Sequence, residues 1–245
     1  MTYCVGLRLN RSLVFMSDTR TNAGVDNVST FKKMFTWSIP GDRTIVLLMA
    51  GNLGTSQAVI SLLDERAKLA KKGSTTILKA PSLFQVARLI GETLREVIDL
   101  NQQGGDSAES PFGASIIMGG QISGDNHKLF LIYPEGNFIE SSNDTPFFQS
   151  GETKYGRPIL VRAFNPEMTV EEATKLLLVS FDSSLRSNLS VGLPIDMYIY
   201  ERDSLRTGYT RRFEASDLYY INVASGWGEA LKKALKALPD FNLER

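Results

Sequence analysis

The spacing of apolar residues changes character part-way along this chain, and that change constrains the fold more than any single motif. Residues 2–49 carry strand patterns. Tyr3, Val5 and Leu7 alternate with Cys4, Gly6 and Arg8, Asn10-Arg11 breaks the run, and residues 12–18 resume it. This predicts an opening hairpin. Residues 31–39 and 44–49 predict another strand pair joined by Pro40-Gly41-Asp42, with a polar, turn-rich stretch over 19–30 before it. From residue 56 the repeat becomes helical. Val59, Leu62, Leu63, Ala67, Leu69 and Ala70 mark one helix over 56–72, stopped by Gly73. Leu83, Val86, Ala87, Ile90, Leu94, Val97 and Ile98 mark a second over 81–100. Each has one apolar face to bury.

Strand patterns return at 113–118, 128–133 and 137–140, beyond a polar, Gly-rich loop over 101–111. Helices are predicted at 155–162 and 170–185, the latter opened by Thr169 with Glu172 three residues on, a capping box. Strands at 195–201 and 218–223 and a short helix at 227–238 complete the pattern. Such segregated blocks imply an α+β chain with mainly antiparallel sheets and helices packed outside them, rather than a regular βαβ alternation. No repeat or linker divides the chain, so residues 1–245 are expected to form a single domain.

Charge and composition exclude several classes. Lys plus Arg and Asp plus Glu are 27 each, which leaves no basic excess for a nucleic-acid partner. The longest apolar stretch, residues 45–50, is far short of the ~20 residues of a membrane helix. Arg8, Asn10 and Arg11 arrive too early for a secretory signal. A cytoplasmic protein with no membrane or nucleic-acid partner is the expectation. The single Cys4 rules out an internal disulfide and a Cys-based zinc site. It lies in an apolar run and reads as a buried structural thiol. The single His127 lies in a polar turn and reads as a surface residue, so a histidine-dependent triad has little to rest on. No cofactor and no metal site are implied.

Chemistry is suggested at the amino end. Thr2 follows Met1, and a small residue there favours removal of the methionine. The new terminus would carry a hydroxyl and a free α-amine on one residue, a nucleophile with its own base. That amine titrates at roughly pH 7.7–8.0 in model compounds.

Four short motifs then occur in order: Met1 to Leu7 with threonine second, Met16-Ser17-Asp18-Thr19-Arg20, Lys33-Met34, and Met49-Ala50-Gly51. The ordered set resembles the proteasome β-type subunits, and more narrowly their bacterial homologue Anbu, the ancestral β subunit. It covers nearly the whole chain, from Thr2 to about Val223. The resemblance implies the fold of the N-terminal nucleophile (Ntn) hydrolases, a four-layer αββα sandwich. It also implies amide-bond hydrolysis through an acyl-enzyme on Thr2, with a peptide or protein as substrate.

Residue by residue, Thr2 matches the nucleophile, Asp18 the catalytic aspartate, Lys33 the catalytic lysine and Gly51 the oxyanion-hole glycine. Ser150 matches the serine of the Ser-Gly pair beside the nucleophile, and Ser190 the serine of the Arg-Asp-x-x-Ser segment. Here that segment reads Arg186-Ser187-Asn188-Leu189-Ser190, with Ser187 where the aspartate stands. Lys32 competes with Lys33 for the lysine role. Thr21, Met49 and Leu53 are expected to line a pocket for uncharged or apolar side chains. A lysine cation beside Thr2 would keep the α-amine unprotonated, and Asp18 would hold that lysine. Neither a propeptide before Thr2, and hence autolysis, nor an extension of the α-subunit kind is expected. A large homo-oligomer, ring or open helix, is implied, with an accessory partner left open. Two other readings stand beside the peptidase: a proteasome-shaped assembly protein of little or no activity, to which Ser187 leans, and an amidase or acyl-transfer enzyme acting on a small or peptide metabolite.

Overall fold

The computed structural model describes residues 2–22, 28–71, 73–102 and 112–242. The opening hairpin is β1 (Tyr3–Arg8) and β2 (Ser12–Asp18), paired in register from Cys4 with Ser17 to Arg8 with Leu13. Both strands are buried along almost their whole length, because each face of their sheet is covered. That sheet also contains β10 (Phe147–Gly151), β11 (Ile195–Glu201) and β12 (Tyr209–Phe213), in the order β10-β1-β2-β11-β12. A second five-stranded sheet runs β5 (Met34–Ile39), β6 (Arg43–Gly51), β7 (Ala114–Ile122), β8 (Lys128–Ile132) and β9 (Phe138–Glu140). All strand pairs among the described residues are antiparallel.

Three apolar cores stack through the molecule. Between the sheets lie Cys4, Leu13, Phe15, Phe148, Tyr198 and Tyr200 from the first, against Met34, Val46, Leu48, Ile117 and Leu129 from the second. Helices α1 (Leu53–Lys68) and α2 (Leu83–Gln102) bury the stripe Val59, Leu63, Leu83, Val86, Ile90 and Leu94 on the outer face of the second sheet. Helices α3 (Arg157–Ala163), α4 (Val170–Ser187) and α5 (Leu218–Lys236) cover the first sheet with Leu160, Leu177, Phe181 and Tyr220. The layers are therefore α, β, β, α. Each fully buried Leu, Ile or Phe contributes about 1.5–3 kcal/mol, so the interdigitated sheets form a stiff frame. The Thr169–Glu172 capping box is present on α4 as expected.

The structure departs from the sequence reading in several places. Residues 218–223 are not a strand but the first turns of α5. Asp217 accepts hydrogen bonds from Tyr219 and Tyr220 N–H at 2.9 and 3.1 Å. Tyr220 and Ala224, four apart, bury one helical face. Capping and packing override the strand propensity of Tyr-Tyr-Ile-Asn-Val. The polar stretch 19–30 contains a short pair, β3 (Arg20–Asn22) and β4 (Val28–Thr30). β10 and β12 are not foreseen either: neither carries a clear alternation, and β12 is an edge strand rich in Arg. His127 is buried, its Nε2 paired with the Leu9 carbonyl at 2.9 Å. A turn folded under β1 conceals a side chain that polarity alone puts outside. The Gly-rich loop over 101–111 falls mostly outside the described residues.

Candidate active site

Thr2 lies at the entrance to β1 and is only 6% exposed. Its position follows from the anchoring of its neighbours. The Tyr3 N–H donates to Asp18 Oδ1 at 3.0 Å, and the Thr2 carbonyl accepts from the Glu152 N–H at 2.6 Å. The Tyr3 ring packs on Phe181, centroids 4.4 Å apart, and its hydroxyl accepts from Gln149 Nε2 and pairs with Ser180 Oγ, both at 2.7 Å. Burial pushes the Tyr3 phenol up to about 12, so it stays neutral as an anchor. Gly151 closes the other side. It sits at φ +84°, and a Cβ there would lie 1.9 Å from the Thr2 carbonyl oxygen. Only glycine allows that approach.

Lys33 directly precedes β5 and continues its ladder, its carbonyl accepting from the Met49 N–H at 2.9 Å. The side chain is 4% exposed and its Nζ donates to Asp18 Oδ1 at 2.7 Å and to the Arg20 carbonyl. Asp18 is fully buried at the end of β2. Burial pushes its carboxyl upward, opposed by the Lys33 ammonium and by hydrogen bonds from the Tyr3 and Gly192 N–H groups. A buried carboxylate with an ammonium and two N–H donors has its charge compensated. Lys32, by contrast, is exposed and lies 5.5 Å over the Phe35 ring.

A small cleft, with about 20 Å³ of space open to water, joins these pieces. Thr2, Thr21, Lys32, Lys33, Met49, Gly51 and Leu53 line it, together with Phe35, Ser56 and Gln57 from β5 and α1. Gly51 closes β6 at φ +116°, and a Cβ would meet the Gly113 carbonyl at 2.4 Å. Its turn leads to the Asn52 cap of α1, whose side chain accepts from Thr55 N–H at 3.0 Å. Six of the nine residues expected from sequence therefore share one cleft, and Asp18 supports it from below.

Ser150 does not line the cleft; it lies on β10 opposite Cys4, with its hydroxyl 2.5 Å from that of Ser115. Ser190 does not line the cleft. It lies in the turn after α4, and its N–H donates to Asn188 Oδ1 at 2.9 Å. Ser187 is exposed. Cys4 is buried near Lys33 and Asp18, and burial drives its thiol strongly upward, which leaves it inert. Two larger grooves, of about 680 and 670 Å³, run along α4 to β12 and α5 and between α3, α4 and α5. Neither contains Thr2 or Lys33, and size without a nucleophile and base carries less weight than the charged pair at the small cleft. Among the described residues no group of His, Cys, Asp and Glu could hold a metal ion, and no helix is long and apolar enough to cross a membrane.

The residues that sequence reasoning misses are Ser115, Glu152 and Asn188. Glu152 follows Ser150-Gly151 directly, but with β10 unforeseen there is no register to place it. Asn188 is the C-cap of α4, visible only once that helix is seen to end there.

The proteasome subunit family matches residues 2–200. The chain belongs to the proteasome subunit family. It is 27% identical over 205 residues to a proteasome subunit beta of Methanocaldococcus jannaschii, covering 84% of each chain. Solved structures of Anbu are more similar. Anbu, the ancestral beta-subunit, from Yersinia bercovieri is 45% identical with a TM-score of 0.91, over 99% of this chain and 100% of that one. An Anbu (Gly-1) mutant from Hyphomicrobium sp. strain MC1 is 48% identical with a TM-score of 0.92, over the same shares. An Anbu complex from Pseudomonas aeruginosa, described as a helical assembly, is 43% identical with a TM-score of 0.90, over 98% of each. The four layers are thus those of the α+β Ntn sandwich, and the narrower likeness to Anbu, expected from the Asp18-to-Lys33 segment and the long carboxyl-terminal region, extends over 99% of the chain.

Proposed function

We propose that this proteasome-family protein is an N-terminal threonine peptidase that hydrolyses amide bonds through an acyl-enzyme on Thr2, once Met1 is removed. The observation that carries this reading is the buried Lys33–Asp18 pair at the cleft that contains Thr2. In this scheme Thr2 Oγ1 attacks the substrate carbonyl carbon while its proton passes to the Thr2 α-amine. The Lys33 ammonium disfavours a second positive charge nearby, which keeps that amine unprotonated at neutral pH. Asp18 holds Lys33 in place. The Gly51 N–H stabilises the oxyanion, a contribution on the order of 10²–10³ in rate for one such donor. Collapse expels the leaving amine, which takes the proton from the α-ammonium. Water then hydrolyses the Thr2 ester and restores the hydroxyl. Ser150 and Ser190 orient the amine and the water. Thr21, Met49 and Leu53 face the substrate side chain and favour uncharged groups.

The whole chain acts as one catalytic domain in this reading, and it works as a homo-oligomer in the cytoplasm. Leu235, Leu238 and Phe241 are exposed at the carboxyl-terminal end, surface of the kind that a neighbouring subunit covers. The helical assembly of the Pseudomonas Anbu supports the same expectation. A second reading, an assembly protein of low activity, draws on the exposure of Ser187 at the position where an aspartate is expected.

Intact-mass measurement with a β-lactone or epoxyketone probe tests the proposal. One covalent addition is expected on a chain that starts at Thr2, and none on Thr2→Ala. Retention of Met1 in most molecules, or absence of labelling on the mature chain, would overturn it. Light scattering that finds a stable monomer at micromolar concentration would overturn the assembly.

A further inference from the structure

We propose that Glu152 and Asn188 form a positioning clamp that fastens the Ser190 segment to Thr2 and sets the charge around the Thr2 amine. The inference rests on the peptidase reading above. Its geometry is independent of that reading. Glu152 is 6% exposed, a buried carboxylate that the catalytic scheme leaves unused. Its backbone N–H donates to the Thr2 carbonyl at 2.6 Å, immediately after the left-handed turn at Gly151. Its side chain then reaches away from β1. Oε1 accepts from the Lys154 N–H at 3.0 Å and Oε2 from Asn188 Nδ2 at 2.7 Å. Asn188 in turn accepts the Ser190 N–H on Oδ1 at 2.9 Å.

The result is a chain of directional bonds from Thr2 through Glu152 and Asn188 to Ser190. The same segment has a second attachment, the Gly192 N–H donating to Asp18 Oδ2 at 3.3 Å. Residues 188–192 are therefore pinned to both ends of the Thr2 environment. Ser187 is exposed, so the buried carboxylate tied to this segment is that of Glu152, whose backbone meets Thr2 and whose side chain meets Asn188. A buried carboxylate on the residue whose backbone N–H holds the Thr2 carbonyl also favours the protonated amine. Glu152 thereby opposes Lys33 and sets how much free amine is present at a given pH.

The test exploits polarity. In Glu152→Gln a single acceptor oxygen remains for two donors, the Lys154 N–H and Asn188 Nδ2, so one of them is left facing an amide N–H. In Asn188→Asp two carboxylates face one another. In the double variant the amide introduced at position 152 donates to the carboxylate introduced at position 188, which still accepts from the Ser190 N–H. All three side-chain bonds can then re-form, with the charge moved from one side chain of the clamp to the other. On mature protein, with the Thr2 terminus verified by mass, each single change should slow covalent labelling by about tenfold, the scale of one lost charge-assisted hydrogen bond. The double variant should recover most of that loss. Single variants that label at the wild-type rate, or a double variant no faster than Glu152→Gln, would overturn the clamp. A second readout needs no catalysis by Thr2. The pH dependence of acylation of the α-amine by a small reagent, followed by N-terminal peptide mass, should shift to lower pH by about half a unit in Glu152→Gln. It should return in the double variant. If the wild type fails to label yet the amine midpoint shifts as stated, the peptidase reading fails and the clamp stands. An unchanged midpoint rejects the clamp whether or not the protein labels.

Discussion

Replacing Lys33 separates stability from chemistry at this site. The pair it forms with Asp18 is 2.7 Å long, with side chains 4% and 0% exposed, so neither charge has water to fall back on. Lys33→Ala leaves the Asp18 carboxylate with its two N–H donors but no cation. Breaking a buried pair from one side costs about 3–5 kcal/mol. Asp18 limits the damage by taking up a proton, because burial already holds its pKa above the ordinary range. Each unit of such a shift corresponds to about 1.4 kcal/mol. Against a total stability of roughly 5–15 kcal/mol the variant should remain folded with a much reduced urea midpoint.

The chemical loss is separate. In the proposed scheme the Thr2 amine is no longer held unprotonated without the ammonium, and labelling should fall on the order of 10²–10⁴. Lys33→Arg should fail as well, since a planar guanidinium does not replace a compact ammonium between Asp18 and the Arg20 carbonyl. The decisive control is Asp18→Asn with Lys33→Met, which removes both charges. Stability should recover by at least half of the single-variant loss, while labelling stays absent. The assays are urea denaturation and the first-order rate of probe addition by intact mass. Labelling of Lys33→Ala within threefold of wild type, or normal labelling of the double variant, would refute the role assigned to Lys33.

Three further outcomes are expected. Lys32→Ala should label normally and denature within about 0.5 kcal/mol of wild type, because an exposed lysine over Phe35 contributes little; loss of labelling there would shift the lysine role by one residue. Gly51→Ala forces a Cβ to within 2.4 Å of the Gly113 carbonyl at φ +116°. It should lower the melting temperature, by roughly 2–4 °C per kcal/mol of strain, and suppress labelling together; a fully active Gly51→Ala would remove the glycine from the oxyanion scheme. His127 has its pKa lowered, chiefly by burial, from 6.5. A depressed pKa means stability present above pH 6.5 and lost below it, with a slope of up to about 1.4 kcal/mol per pH unit until the buried imidazole protonates. His127→Gln should flatten that slope in urea midpoints taken from pH 7.5 to 5.5, and equal slopes in the two proteins would contradict the assignment.

What could be read from the sequence depended on whether a residue's role is local. The β1–β2 hairpin, α1, α2 and α4 announce themselves through alternation, helical stripes and a capping box, and all are present. Thr2, Asp18, Lys33 and Gly51 stand at strand ends, where ordered motifs place them, and the cleft brings Thr2, Lys33 and Gly51 together with Asp18 beneath. β10 and β12 take their conformation from their neighbours, pairing with β1 and β11, so nothing in their own pattern reveals them. His127 and Glu152 are buried polar residues tied to β1 by contacts more than a hundred residues away in sequence, His127 through its ring and Glu152 through its backbone N–H. Long-range burial of that kind leaves no local periodicity. The 218–223 error has the opposite origin: a real propensity for strand, overruled by the Asp217 cap and by packing of Tyr220 against α4.

The cleft draws its two halves from different sheets. Thr2 and Asp18 belong to the first, while Lys33 and Gly51 flank β5 and β6 of the second. The Lys33–Asp18 pair is thus a bond between sheets, and it lies at the edge of the core formed by Phe15, Met34, Leu48 and Ile117. Close-packed interiors transmit small displacements rather than absorbing them. The distance between lysine and threonine is therefore set by how the two sheets interlock, not by either hairpin alone. Cys4 marks the join: its thiol contacts the Met49 carbonyl across the sheets at 3.6 Å. The residue proposed as nucleophile lies near a chain terminus, which would ordinarily fray. Here β1 is an interior strand, flanked by β10 and β2, and the Thr2 carbonyl is tied to Glu152. The fold thus turns the most mobile position of a polypeptide into one of its most fixed, which the proposed catalysis by a terminal amine requires.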